Sequence, residues 1–417
     1  MSRTSRAAAW VRWAADRVVF RRTGMPLDGR LQPMMLVFWI SVSLVGYTYV
    51  AYPLLVWAAS KCTRNRRLSA RPRTAQARPT VSVCIACRNE APRLQHKLTS
   101  LNAQDYPRDL IEIIIASDGS TDGTVAVARA LPGVAVLDCT ARGKAAALNA
   151  AVAAARGEIL VFTDARQRLD ARALTALIDR LGDPDIGVVS GELILEAPAT
   201  GVAASIGLYW RYEKFIRRAE SEYFSAVGAT GALYAMRRSE FKPLRPGTLL
   251  DDFEIPMAVL RTGRRIVFEE RARIYDVAES SLAAERRRKI RTLAGNWQSL
   301  AANRWLIVPG KNPALWQYIS HKLCRLIVPF ALLGMLAAAW LTGGAFYRMA
   351  AAAQTAFWCV ALLGSCLPVL RRLRLIGMAS LLLELNWAAV AGLVYYCRGM
   401  AESLWRSPAA ANPSRDA

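Results

Sequence analysis

The sequence predicts an α/β domain with a parallel sheet, set between helices that cross a membrane. Two patterns predict this fold class. Apolar segments lie at both ends of the chain, and residues 31–60 contain no charged side chain, whereas about 20 apolar residues already span a bilayer. Between the two ends, short apolar runs alternate with helical stretches, which is typical of parallel strands covered by helices on both faces.

The apolar segments also predict how the chain is divided. Its composition is 53% hydrophobic, above the roughly 45–50% of soluble domains, and the excess collects at the ends. Three further spans are expected near the C-terminus: Leu326–Tyr347, Met349–Leu370 and Leu375–Cys397. The expected segments are a basic N-terminal segment (1–33), a transmembrane helix (34–60), a basic linker (61–78), the α/β domain (79–300), an interfacial helix (301–325), three transmembrane helices (326–397) and a C-terminal tail (398–417).

Basic residues predict the orientation of these helices. Residues 61–78 carry seven lysines and arginines, and the turn at 371–374 is also basic. Because short basic loops stay in the cytoplasm, we expect residues 61–325 on the cytoplasmic side of a bacterial-type inner membrane. The acid Glu384 lies near the middle of its span, where a lone carboxylate is costly. It either faces a polymer path or another helix, or packs in the bundle as a neutral acid.

The seven arginines of residues 1–30 conflict with this orientation, because such a tail is poorly translocated. Two explanations are open. Translation begins at Met25, Met34 or Met35, which we favour, or residues 7–22 form an amphipathic interfacial helix that carries Trp10 and Trp13.

The net charge of +23 fits a surface of anionic lipid, because arginines cluster beside the apolar segments. No nucleic-acid-binding motif is present, so no nucleic-acid partner is expected. The pair Cys84 and Cys87 matches C-x-x-C, but residues three apart on a strand point to opposite faces. We therefore expect reduced, packed thiols rather than a metal or disulfide framework.

Polar residues follow three of the expected strands: Glu90, Asp118 and Asp164. Each alone is explained as an ordinary turn residue. Together they mark the carboxyl ends of consecutive strands, where ligands bind in such sheets. The chain lacks both G-x-G-x-x-G and the P-loop pattern, so a dinucleotide fold is not supported.

These motifs resemble the family 2 glycosyltransferases, a group with the α/β GT-A fold, and among them the membrane-embedded cellulose, hyaluronan and poly-N-acetylglucosamine synthases. The stretch from Pro79 to Glu90 resembles the opening strand and nucleotide-binding loop. Asp118, in SDGSTDGT, matches the acid that contacts the nucleobase. Gly143-Lys144 resembles the element whose lysine meets the diphosphate and whose glycine allows close approach.

Asp164 matches the first acid of the family's D-x-D metal motif, which implies a divalent cation, Mg²⁺ or Mn²⁺, as cofactor. The second acid position is Arg166. Either this guanidinium contacts the donor phosphates directly, or it is a surface arginine and the metal site has one carboxylate.

Asp252, in Leu250–Glu254, matches the family's general base, which removes the proton of the acceptor hydroxyl in one inverting displacement. The competing interpretation is a helix cap, for which Asp251 is the better candidate. Arg288 and Arg291 occupy the Q-x-x-R-W motif at its glutamine and arginine, with Thr292 in place of the tryptophan, and a basic surface helix is the alternative.

Two further residues lie in a stretch that resembles an element on the acceptor side, and a third lies in a separate stretch near the C-terminal bundle. Tyr209 and Trp210 offer aromatic faces to an acceptor sugar, or else pack in the core. His321 lies in the stretch that resembles an amphipathic interface helix, where a headgroup or backbone contact is expected rather than catalysis.

The resemblance implies transfer of a sugar from a nucleoside diphosphate sugar, uridine by family, to a growing exopolysaccharide at the inner membrane. The expected partners are the nucleotide-sugar donor, a glycan or lipid-linked acceptor, the bilayer and export proteins. One alternative is a single addition to a polyprenyl phosphate, which the altered Q-x-x-R-W motif favours. Another is a non-catalytic scaffold subunit of an export complex, supported by Arg166.

Overall fold

The computed structural model describes residues 31–67, 78–196, 201–277, 282–367 and 369–400. The two explanations for residues 1–30 concern a segment outside these described residues.

A mixed sheet of eight strands forms the centre of the described α/β domain, in the order β3-β2-β1-β4-β7-β6-β8-β5. The strands are β1 (Val81–Cys87), β2 (Ile111–Asp118), β3 (Val134–Cys139), β4 (Ile159–Thr163), β5 (Arg168–Leu169), β6 (Ile186–Glu196), β7 (Leu233–Arg237) and β8 (Arg265–Val277). The four strands predicted from the sequence are parallel, as expected. Beyond them β7 runs antiparallel to both β4 and β6, and β5 runs antiparallel to β8. Strands β6 and β8 are parallel to each other, so the sheet is mixed rather than parallel throughout.

Helices cover both faces of this sheet. The helices of the domain are α3 (Ala91–Asn102), α4 (Thr124–Arg129), α5 (Lys144–Ala154), α6 (Ala173–Leu181), α7 (Gly201–Tyr223), α8 (Asp251–Leu260) and α9 (Leu282–Ala302). Two buried apolar clusters separate along the two faces. Cys87 belongs to one and Cys84 to the other, which confirms that the C-x-x-C pair points in opposite directions.

Four helices in the described part of the chain are long and apolar enough to cross a membrane. The first comprises α1 (Leu31–Gly46) and α2 (Tyr52–Arg67), joined by a π-helical turn at Tyr47–Ala51. The second comprises α10 (Leu315–Gln317) and α11 (Cys324–Thr342), joined by a π-helical turn at Tyr318–Leu323. The third and fourth are α12 (Gly344–Cys366) and α13 (Arg374–Cys397). One helix precedes the domain and three follow it, as predicted. Gly343 makes the sharp turn between α11 and α12 with φ of 70°, a conformation that glycine adopts at little cost.

The stretch predicted as an interfacial helix, 301–325, is divided differently. Helix α9 extends to Ala302, a short 3-10 turn covers Arg304–Ile307, and the next helix begins at Leu315 and continues into the membrane segment. Pro309, Gly310 and Pro313 lie between them, and these residues break helices because they lack a donor or favour φ values outside the helical range.

Glu384 is not a lone carboxylate. Arg371, from the turn before α13, lies 2.6 Å from its Oε1 and also donates to the carbonyl of Gly364. The resulting ion pair joins α12 to α13. It agrees with the interpretation that the acid faces another helix, and it replaces the interpretation of a neutral packed acid. Arg371 is buried, so the basic turn keeps this arginine inside the bundle rather than in solvent.

Candidate active site

The loops after β1 and β2 lie side by side at the carboxyl edge of the sheet. The Asn89 side chain accepts a hydrogen bond from the backbone amide of Thr121 at 2.8 Å. The backbone amide of Glu90 donates to the Thr124 hydroxyl at 2.9 Å. Asn89 holds φ of 56°, which asparagine tolerates better than most residues. The carboxylate of Glu90 lies 2.7 Å from Arg93, so its contact with a donor stays a prediction.

Asp118 joins β2 to the loop that leads into α5. Its side chain is fully buried, and Oδ1 accepts the backbone amides of Arg142 and Gly143 at 2.9 and 2.8 Å. Gly143 has φ of 93°, and a Cβ there would meet no atom within 4 Å among the described residues. The glycine is therefore explained by backbone conformation, while its close approach to a ligand stays a prediction.

Lys144 lies between Asp164, which follows β4, and Asp251, at the start of α8. Its Nζ lies 3.1 Å from Asp164 and 3.1 Å from Asp251. Burial alone would lower the pKa of this lysine, but the neighbouring carboxylates outweigh burial and raise it. Lys144 is thus a fixed cation at the edge where a diphosphate is expected, since an ammonium with neighbouring carboxylates keeps its charge.

The donor atoms present fit a divalent ion that takes most of its ligands from its substrate. Within the described residues, no group of three or more His, Cys, Asp or Glu side chains could enclose a metal. Mg²⁺ in phosphoryl and glycosyl sites is often held by one or two carboxylates together with phosphate oxygens and water. Asp164 supplies one such carboxylate, and nearby Lys144 holds its pKa low despite burial.

Arg166 pairs with Asp276 of β8 at 2.7 Å. That contact ties the loop after β4 to the far part of the sheet and gives the arginine a role within the protein. Neither sequence interpretation of Arg166, a direct phosphate ligand or a plain surface side chain, anticipated this ion pair. Its contact with a donor phosphate stays a prediction.

Lys97 was missed by sequence reasoning and lies beneath this loop. It is 1% exposed, and Nζ donates to the Thr163 hydroxyl at 2.6 Å and to the Gln167 carbonyl at 3.1 Å. Burial lowers its pKa to about 7, although Asp164 and Asp276 act in the opposite direction. The available signal was its position: Lys97 falls on the apolar face of α3 with Leu94 and Leu101, where a lysine needs buried partners.

Asp252 lies on the first turn of α8, against the loop that precedes β7. A Cβ on Gly231 would come within 2.8 Å of its Oδ2, and the amide of Ala229 donates to its carbonyl at 2.8 Å. Burial and the adjacent Asp251 raise the pKa of Asp252 to about 6. A carboxylate with this pKa is ionised at neutral pH and is a better proton acceptor than an ordinary aspartate.

The cap interpretation of Asp251 is wrong in the described structure. Leu250 occupies the cap position without a side-chain cap bond, and the helix begins at Asp251 itself. Asp251 instead contacts Lys144, and the helix dipole also favours acids in this first turn.

Arg291 faces the same carboxylates from α9. Burial lowers its pKa, while the charges of Asp164, Asp251 and Asp252 act in the opposite direction. Two glycine contacts hold α9 in place. Leu250 packs on Gly295, and a Cβ on Gly392 of α13 would lie 2.7 Å from the backbone nitrogen of Ala294. The helix that carries Arg288 and Arg291 thus lies between the start of α8 and α13, one of the four helices long and apolar enough to cross a membrane. It does not lie on an exposed surface alone.

Tyr209 and Trp210 do not form a shared stacking surface on α7. Trp210 packs against the core of the sheet, as in the packing alternative for this residue. Burial and then Glu213 raise the pKa of Tyr209, which places the tyrosine on the side of the helix that carries Glu213.

His321 contacts neither a headgroup nor backbone. It is 2% exposed, and its two ring nitrogens lie against the carboxylates of Glu213 and Glu220. The sequence prediction for this residue is therefore wrong, because both acids come from a helix about 100 positions away in the chain.

Comparison with known proteins agrees with this geometry. The family model for glycosyl transferase family 2 matches residues 82–244. The glycosyltransferase AglE of Haloferax volcanii is 29% identical over 35% of this chain and 48% of its own length. An N-acetylglucosaminyltransferase of Bradyrhizobium diazoefficiens is 25% identical over 72% of this chain and 66% of its own. A poly-beta-1,6-N-acetyl-D-glucosamine synthase of Staphylococcus epidermidis is 23% identical, over 57% and 59%.

One solved structure matches most of the chain. The mannosyltransferase PcManGT of Pyrobaculum calidifontis, in complex with GDP-Man and Mn²⁺, superposes with a TM-score of 0.62 at 25% identity, over 87% of this chain and 99% of that one. The chain spans between about half and two thirds of the length of the curated relatives named above. Residues 82–244 thus match the glycosyl transferase family 2 model within a domain that has the GT-A fold, and this domain is joined to four helices long and apolar enough to cross a membrane.

Proposed function

We propose that the protein transfers a sugar from a nucleoside diphosphate sugar to an acceptor hydroxyl with inversion at the anomeric carbon. The observation that carries this proposal is Asp252, an acid with a pKa of about 6 that lies within one residue of the contact between Asp251 and Lys144. A single base beside a fixed cation is what one direct displacement requires.

On the donor side, Asp118 and the loop it holds would receive the nucleoside. Lys144 and Arg291 would neutralise charge on the departing diphosphate, because both cations face the carboxylate cluster from different elements. Asp164 would hold a divalent cation, which when bound supplies further positive charge to the diphosphate. The Mn²⁺ and GDP-Man bound to the Pyrobaculum enzyme support this arrangement, and uridine remains the proposed nucleoside on family resemblance.

On the acceptor side, we propose a growing exopolysaccharide made at the cytoplasmic face of an inner membrane, with export proteins as partners. The relatives named as N-acetylglucosaminyltransferase and poly-beta-1,6-N-acetyl-D-glucosamine synthase support this product class. The basic linker and the four apolar helices support the location.

A second candidate is single addition to a polyprenyl phosphate or another lipid-linked acceptor. Two observations favour it. Thr292 stands where the family has an acceptor-stacking tryptophan, and Trp210, proposed as an aromatic face for the acceptor sugar, packs against the core.

A panel of radiolabelled nucleotide sugars, offered to membranes that contain the protein, tests both candidates. We expect incorporation from one donor, lost on chelation and restored by Mg²⁺ or Mn²⁺. A ladder of oligomers supports the polysaccharide, and one lipid-soluble product of fixed size supports single addition. Incorporation from none of the donors would contradict the proposed transfer.

A further inference from the structure

A buried polar cluster lies where α7 meets two of the membrane helices, and the proposed chemistry does not use it. Its members are charged or hydroxylated side chains from three elements. We call it the junction cluster: Tyr52, Glu213, Arg217, Glu220, His321, Lys322 and Arg325.

His321 is the centre of this cluster. Its Nδ1 lies 2.9 Å from Oε1 of Glu220, and its Nε2 lies 3.0 Å from Oε1 of Glu213. The side chains of Glu220 and Glu213 are 0% and 8% exposed. The Tyr52 hydroxyl donates to the same oxygen of Glu220. No bulk water therefore separates the ring from either acid.

The geometry dictates the protonation of the ring. An ionised carboxylate only accepts hydrogen bonds, whereas a neutral imidazole has one N–H and one lone pair. A neutral ring here would direct its lone pair at a buried carboxylate oxygen, which is repulsive in a low dielectric. Glu213 is ionised, because Arg325 lies 2.7 Å from its Oε2 and Arg217 lies 3.4 Å from its Oε1. Nε2 of His321 therefore donates to Glu213. Nδ1 faces the Glu220 oxygen that also accepts from Tyr52, and a proton on this nitrogen makes that contact attractive.

Hydrogen bonds connect Glu213 to the segment Thr230–Gly231, which forms a wall beside Asp252. Arg217 lies 3.4 Å from Oε1 of Glu213, the oxygen that also receives His321. The Nη1 of Arg217 donates to the Thr230 hydroxyl at 3.0 Å. The next residue after Thr230 is Gly231, which lies against Oδ2 of Asp252. Burial and Asp251 raise the pKa of Asp252, and the charges of Lys144, Lys322 and Arg217 act in the opposite direction.

We propose that His321 is a positioning residue for the transfer reaction. As an imidazolium it keeps Glu213 in place, so that Arg217 holds the Thr230–Gly231 wall against the base Asp252. The same contacts join the base to the helices that contain Tyr52 and His321, and thus to the membrane. The inference rests on the proposed function only in naming Asp252 as the base, because the protonation of His321 is measured without any substrate.

The first experiment measures the protonation state of the His321 ring. The chain contains two histidines, and His96 is exposed on α3. His96→Gln therefore leaves His321 as the single histidine, unchanged. In nanodiscs at pH 7, with ¹⁵N-labelled histidine, we expect both ring nitrogens to give protonated resonances. A non-protonated ring nitrogen at that pH would overturn the proposal.

The second experiment tests the path to Asp252. In His321→Gln both N–H donors are on one nitrogen, so the side chain does not present a donor to each acid from opposite sides as the ring does. We expect kcat to fall roughly 10–100-fold, because small misplacements of a catalytic group cost this much. The KM for the nucleotide sugar should change less than about twofold, since the donor contacts lie elsewhere. His96→Gln is the matched control, with kcat equal to that of the wild type.

A double variant decides whether His321 acts through Glu213. Glu213→Gln alone should give a similar loss of kcat, and the pair His321→Gln with Glu213→Gln should be no worse than the worse single variant, because residues on one path are not additive. Wild-type kcat in His321→Gln, or fully additive losses, would overturn the proposal. If the wild type transfers no sugar, the proposed function fails, while the ¹⁵N measurement still tests His321.

Discussion

The donor half and the acceptor half of the site are built in different ways. On the donor side, Asp118, Lys144 and Asp164 each follow or begin an element close to their own motif, and consecutive parallel strands bring them to one edge. On the acceptor side, Asp252 is surrounded by the loop before β7, by α9 and, through Thr230, by Arg217 of α7. The donor half is thus a property of local sequence, and the acceptor half a property of assembly.

Substitutions in the two halves should therefore have different effects. A substitution on the donor side should change donor binding, because each side chain there has its own contact. A substitution on the acceptor side should change the rate and leave donor binding intact, because the base depends on the wall and on the helices around it. Four predictions follow this division, ordered by the size of the effect.

The largest effect is expected at the base. Asp252→Asn should lower kcat about 10²–10⁴-fold, because an amide cannot accept the acceptor proton, while the Kd for the nucleotide sugar measured by calorimetry stays within about threefold. Asp109→Asn, an exposed aspartate outside the site, is the matched control. Equal rates for Asp252→Asn and wild type would contradict the assignment of the base.

Lys144→Gln should give the next largest loss and the opposite pattern. The amide keeps most of the length but not the charge, so we expect kcat/KM to fall about 100-fold, with weaker donor binding in the same calorimetric titration. Lys242→Gln removes an exposed lysine and should leave both quantities unchanged. Unaltered donor affinity in Lys144→Gln would remove this lysine from the donor half.

The pH dependence of kcat should follow Asp252. Its raised pKa means that the base is ionised above about pH 6 and becomes protonated as the pH falls through that value. The rate should therefore be level near pH 7 and fall about tenfold per unit below pH 6. A profile that stays flat down to pH 5, with the protein still folded by circular dichroism, would contradict the pKa of this base.

The smallest effect concerns stability. A carboxyl whose pKa is raised on folding binds its proton more tightly when folded, so its contribution to stability falls as pH rises between about 4 and 6. Asp252→Asn removes this penalty and should raise the free energy of unfolding at pH 7.5 by about 1 kcal/mol, after discounting for partial exposure. Thermal unfolding at pH 7.5 and pH 4 checks it, since the gain should vanish at the lower value.

Much of the donor half could be predicted because its signals are short in sequence. Runs of fewer than ten residues predict strands β1 to β4 and the polar residues at their ends. These short runs also give the positions of Asp118, Lys144 and Asp164. The four apolar helices were predicted for the same reason, since length and composition alone identify a span.

The errors share one cause, which is a partner distant in the chain. Glu384 was expected alone and pairs with Arg371 across a helix turn. His321 was expected at a headgroup and lies between two acids of α7. Lys97 carried only the weak signal of a cation on an apolar face, and its partners Thr163 and Gln167 are about 70 residues away.

Periodicity, length and motif spacing are local properties, so the α/β class, the four long apolar helices and the chemical groups of the site follow from the sequence alone. Which of those groups contact one another depends on the tertiary structure. Lys144 contacts both Asp164 and Asp251, Arg166 pairs with Asp276, and His321 lies between two acids. The physical reason is that the charge of a buried group depends on its neighbours in space, and those neighbours come from separate elements.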